Sequence, residues 1–119
     1  MRKSILVIVA LAVISAWPGI ARAQFSELTG VWHTSTGATF YVRQIASEIW
    51  WYGTPSATQP AWTNVASGFV VGNIVRVRWV DVPQGPTRGS GTVALKIVDA
   101  NHLVVTENPD NFLTAPWSR

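Results

Sequence analysis

From Gly30 onward, apolar and polar residues alternate in short runs with a period of two. Gly, Pro, Asn, Asp or Ser bounds each run, and no segment from Gln24 onward keeps the 3.6-residue period of a helix. The pattern predicts seven strands, over residues 30–34, 39–45, 48–52, 63–71, 74–82, 91–98 and 103–107, with 112–117 as a candidate eighth. Three turns set the register. Ala46-Ser47 closes a two-residue hairpin that puts Gln44 opposite Ile49 and Val42 opposite Trp51, and Gly72-Asn73 pairs Val71 with Ile74. Asp99-Ala100-Asn101 reads as a three-residue loop with Asn101 left-handed, pairing Ile97 with Leu103.

Opposite residues of an antiparallel pair share a face. One face then carries Phe40, Val42, Gln44, Ile49 and Trp51, continues through Ala66, Gly68, Val70, Val75, Val77 and Trp79, and ends with Val93, Leu95, Ile97, Leu103 and Val105. The other carries Arg43, Trp50, Arg76, Arg78 and Lys96. So clean a split predicts one sheet curved around a single apolar interior. The expected fold is all-β, an antiparallel up-and-down (meander) β-barrel of seven to eight strands, with a two-sheet sandwich as the alternative.

The first 23 of the 119 residues stand apart. Arg2 and Lys3 precede an apolar run from Ile5 to Ala16, and Ala21-Arg22-Ala23 precedes Gln24. This is the layout of a secretory signal peptide cleaved after Ala23, too short to span a bilayer at about 20 residues. The expected organisation is a leader over 1–23 and one domain over 24–119, secreted or periplasmic in a bacterium, with no membrane attachment after cleavage. Three of the nine basic residues lie in that leader, so six basic residues face six acidic ones in the domain. A neutral domain gives no reason to expect nucleic acid as a partner. Cysteine is absent. An exported domain of this size often carries disulfides, so this one must rely on its core.

The stretch Leu28-Thr29-Gly30-Val31-Trp32, followed by Thr36-Gly37-Ala38-Thr39-Phe40, resembles the first hairpin of the avidin family. More loosely, Gly30-x-Trp32 is similar to the start of lipocalins and other calycin barrels. The resemblance implies barrel topology, with Trp32 plugging one end against a basic residue near the C-terminus, for which Arg119 is the candidate. It does not extend to biotin. The avidin Asn and Ser that bind the ureido oxygen correspond to Thr34 and Ala38 here. The segments Tyr41-Val42-Arg43-Gln44, Trp50-Trp51-Tyr52-Gly53 and Arg78-Trp79-Val80-Asp81-Val82-Pro83 also look like a widespread, uncharacterised type of small exported bacterial domain.

Six tryptophans follow the leader (Trp32, Trp50, Trp51, Trp62, Trp79, Trp117). Each buries roughly 150–250 Å² when enclosed, so most serve a disulfide-free core. Trp50 is placed outside opposite Arg43, where a cation–π pair is the simplest account. Trp62 sits in the long connection over 53–62. Strand direction gathers Thr34, Asn64, Asp81 and Glu107 at the barrel end that also holds the long connections, including 83–89 and 108–115. An apolar cup with polar groups at its mouth is a usual form of barrel ligand site. The expected ligand-binding residues are therefore Trp51, Trp62, Asn64, Trp79, Asp81, Glu107 and Thr34. The charge of Asp81 is the one most in need of explanation.

No catalytic, metal or cofactor site is expected. Asp81 and Glu107 could form a glycosidase pair, but so small a barrel offers no cleft. Ser90 lacks a nucleophile elbow and placed partners. His33 and His102 fall at opposite ends by register. The expected function is an exported, non-enzymatic binding module for a small apolar or aromatic ligand, or a glycan, at the open end. The alternative is a protein-interaction domain, such as an exported hydrolase or protease inhibitor acting through its loops. A roomy cavity favours the first, and a filled barrel with exposed Trp50 and Trp62 the second.

Overall fold

The computed structural model describes residues 27–55 and 58–119; the leader over 1–23 lies outside the described residues. Eight strands run in chain order: β1 (Gly30–Thr34), β2 (Ala38–Ile45), β3 (Glu48–Pro55), β4 (Asn64–Val71), β5 (Ile74–Asp81), β6 (Ser90–Asp99), β7 (His102–Glu107) and β8 (Trp117–Ser118). Each pairs antiparallel with its neighbour, and β8 pairs back onto β1, closing an up-and-down barrel. No helix occurs among the described residues.

The two-residue hairpins fall where local turn chemistry puts them. Gln44 faces Ile49 and Val42 faces Trp51 across Ala46-Ser47, with Ala46 at a left-handed φ of 54°. Val71 faces Ile74 across Gly72-Asn73. The alternating positions then point inward as the pattern requires, and Phe40, Ile49, Trp51, Val75, Val77, Trp79, Val93, Leu95, Ile97 and Leu103 are all buried.

The third turn differs from expectation. Ile97 does face Leu103, but Asp99 then pairs with His102, so Ala100-Asn101 is the turn and Val98 is a bulge. Asn101 does not adopt a left-handed φ. The Asp99 carboxylate dictates this, because its Oδ1 accepts from the Asn101 N–H at 2.8 Å and contacts His102 Nδ1 at 2.8 Å. A second bulge, at Thr106, shifts the register again so that Glu107 faces Ala94 rather than Val93. Strand β3 also runs three residues further than expected, because Gly53, Thr54 and Pro55 keep pairing with β2.

The tight-turn end is sealed by its own chain. Trp32 is fully buried and donates its indole N–H to Leu28 O at 2.9 Å. The Arg119 guanidinium lies 4.5 Å over its ring and donates to the carbonyls of Glu27, Thr29 and Ala100. That plug, expected from the calycin resemblance, joins both chain ends of the described domain. Gln44 completes the seal, accepting from Leu28 N and donating to Ala46 O.

Candidate functional site

At the other end the long connections meet over the interior. Thr63 ties two of them together. It is fully buried, donates to Val82 O, and accepts from Gln84 N at 3.2 Å. The third connection, between β7 and β8, crosses the mouth. Asn108 braces it by accepting from Phe112 N at 2.6 Å and donating to Phe112 O at 2.7 Å. Asp110 accepts from Thr92 N at 3.0 Å and fixes the same segment to β6.

This bracing drives Phe112 into the barrel. Its ring centroid lies 5.3 Å from Trp79, 5.8 Å from Trp51 and 5.9 Å from Phe40. Below it, Trp117 stacks on Phe40 at 4.0 Å, and Trp62 stacks on Phe40 from the loop at 6.1 Å. The deep cup is therefore filled by the protein's own rings, at spacings usual for packed aromatic pairs. What remains is a shallow pocket of about 150 Å³ at the rim, bounded by Trp62, Asn64, Trp79, Asp81, Phe112 and Leu113.

Four of the seven expected site residues converge there: Trp62, Asn64, Trp79 and Asp81. Trp51 lies beneath the rim, donating its indole N–H to Asn64 Oδ1 at 3.0 Å, so one acceptor of Asn64 is already engaged. Asp81 has its own partner. Its Oδ2 accepts from Gly89 N at 2.7 Å while its N–H donates to Gly89 O at 2.8 Å, which closes the base of the loop after β5. The charge that demanded a partner thus finds one in backbone, at a half-buried rim rather than inside an apolar barrel.

Besides Trp51, two more expected residues do not line the pocket. Thr34 is buried, but its hydroxyl accepts from Ala38 N at 3.0 Å and organises the first hairpin turn. Glu107 is a correction. It was expected inside, and the bulge at Thr106 turns it outward, where it holds Arg76 through two bonds of 2.8 and 2.9 Å. The Arg76 guanidinium, by hydrogen bonding and then by charge, holds the Glu107 carboxyl below its ordinary range. Asp81 and Glu107 accordingly lie on different faces and form no carboxylate pair.

The histidines also fall differently. Both His33 and His102 are register partners of Ser118, because the short β8 slots between β1 and β7, and so they are not at opposite ends. No cluster of three or more metal-ligating side chains occurs among the described residues. Trp50 is outside as expected and about half exposed, but the cation–π contact found among the described residues is that of Arg119 on Trp32, not of Arg43 on Trp50.

Phe112 is the site residue that sequence reasoning missed. It was placed in the candidate eighth strand over 112–117, whereas β8 is only Trp117–Ser118. The signal available was an apolar pair, Phe112-Leu113, directly after the turn-rich Asn108-Pro109-Asp110-Asn111 in a segment long enough to cross the mouth. No family model matches this chain, nor does any curated protein or solved structure. Its architecture is an eight-stranded, antiparallel, closed up-and-down barrel.

Proposed function

We propose that the chain is an exported, non-enzymatic binding module that receives a small apolar or aromatic group, or the end of a glycan, at its rim. The observation that carries this reading is the convergence of Trp62, Trp79, Asn64 and Asp81 on one open pocket. Ring faces supply contact area and the two polar side chains supply orientation, the usual division of labour in a small-molecule site. A pocket of about 150 Å³ suits a single ring rather than a whole drug-sized molecule.

Export rests on the leader over 1–23, and the burial of Leu28 in the domain is compatible with cleavage after Ala23. The Trp32–Arg119 plug and the first-hairpin resemblance together support kinship with the calycin barrels, of which the avidins are one branch. The filled interior favours a second reading, in which the loop-framed end grips a protein side chain as an inhibitor would.

Titration with indole and with methyl glycosides, followed through the indole N–H resonances, tests the reading. Selective movement of the Trp62 and Trp79 signals, lost in Trp62→Ala, is expected. If no probe moves them while a co-purifying protein does, the inhibitor reading takes its place. Intact-mass measurement of exported material should give a chain beginning at Gln24.

A further inference from the structure

The outer wall of the barrel carries a feature unconnected with the mouth. Across β2 to β6 the outward residues form rungs, one of which runs Arg43, Trp50, Ser67, Arg78, Thr92. Its neighbour runs Tyr41, Tyr52, Val65, Val80, with the two tyrosine rings stacked at 6.2 Å. Trp50 and Tyr41 are each about half exposed. Between larger walls the floor is small, made by Ser67, Gly68 and Ala94. Two surface grooves result, of about 400 Å³ beside Trp50 and about 320 Å³ beside Arg76. They share Ser67 and Arg78, so they adjoin, a trough in two parts across the strands.

We propose that this trough binds an acidic polysaccharide, a chain of sugars bearing carboxylates such as uronic acids. The exposed Trp50 face offers stacking area, and Arg78 and Arg43 stand on either side of it with no ion pair among the described residues. Arg76 is already committed to Glu107, which lines the same groove, so the cation that both grooves share without an ion pair is Arg78, with Arg43 next to Trp50 on the same rung. A guanidinium matches a carboxylate in a two-pronged way that gives geometry as well as charge. Two adjoining grooves fit an extended chain better than a single small molecule.

Competing polymers fit less well. An extended peptide usually adds to a sheet edge, and a closed barrel has no free edge. Nucleic acid calls for a broad basic field, whereas basic and acidic residues balance among the described residues.

The test is affinity electrophoresis of the purified protein with polygalacturonate, dextran, polyglutamate and single-stranded DNA. Retardation by polygalacturonate alone is expected. Trp50→Ala and Arg78→Gln, both on the surface, should each weaken it roughly tenfold. Trp62→Ala, at the mouth, should leave it unchanged while abolishing any rim binding, so the two sites fail separately. The proposal is overturned if polygalacturonate does not bind, or if dextran, polyglutamate or DNA binds as well. It is equally overturned if the folded Trp50→Ala and Arg78→Gln proteins keep their affinity.

Discussion

Replacing Phe112 by Ala should separate the two roles of the mouth most sharply. The side chain is only 5 % exposed although it comes from a loop. Returning a buried phenyl to water costs roughly 2–3 kcal/mol. Its three aromatic neighbours, at 5.3, 5.8 and 5.9 Å, add about 0.5–1.5 kcal/mol each at best. The total, about 3.5–7.5 kcal/mol, starts inside the roughly 3–5 kcal/mol usual for Phe→Ala in cores and runs beyond it. Partial collapse of the loop lowers it, so a loss of about 3 kcal/mol is expected. Urea denaturation followed by tryptophan fluorescence gives the number directly. The vacated space is lined by Phe40, Trp51 and Trp79, all apolar, so benzene or indole should restore part of the lost stability. A cost below about 1 kcal/mol, with no rescue by either compound, would refute the idea that Phe112 is a core residue delivered by a loop.

Gly68→Val should cost more than simple overpacking, above about 3 kcal/mol, because an added Cβ overlaps the Arg76 carbonyl and lies 2.6 Å from Val77 Cα, where backbone must move; thermal melts check it. Arg119→Ala should destabilise by roughly 1–3 kcal/mol and speed exchange of the Trp32 indole N–H, because it removes the ring contact and three carbonyl bonds together. Glu107 is held below its ordinary value of 4.5 by Arg76, so its contribution to stability is full above that value and is lost as pH falls through the lowered one. The stability gap between the parent and Glu107→Gln should therefore be greatest near neutral pH and close in acid, and a gap that widens on acidification would contradict the pairing.

Local chemistry made much of this fold legible. The hairpins at Ala46-Ser47 and Gly72-Asn73 need only two residues to set their register, and period two then assigns every inward side chain on β2 through β5. Nothing nearby in sequence announces the bulge at Thr106. It is stabilised by Thr106 donating to Ala94 O and by Glu107 reaching Arg76, partners 12 and 31 residues away. One inserted residue reverses every face after it, which is why Glu107 moved from the expected site to the outer wall. The rim residues Asn64 and Asp81 were legible as a pair because they are register partners. Their hydrogen bonds to Trp51 and Gly89 depend on side-chain reach and loop closure, which periodicity does not encode.

The absence of cysteine explains why the barrel is solid. With no cross-link, a domain this small must gain its stability from buried area, and indole and phenyl rings offer the most per residue. Here those rings run from one end to the other. Arg119 covers Trp32, Trp117 stacks on Phe40, Phe40 meets Trp51 and Trp62, and Phe112 packs against Phe40, Trp51 and Trp79 at the mouth. A hollow cup would need the same inward positions for a ligand and would forfeit the packing that replaces disulfides. Stability and an internal cavity thus compete for one set of residues, and in this chain packing holds them. The core leaves two features over: the rim pocket, where loop residues meet strand ends, and the outer wall, where Trp50 stands exposed between Arg43 and Arg78.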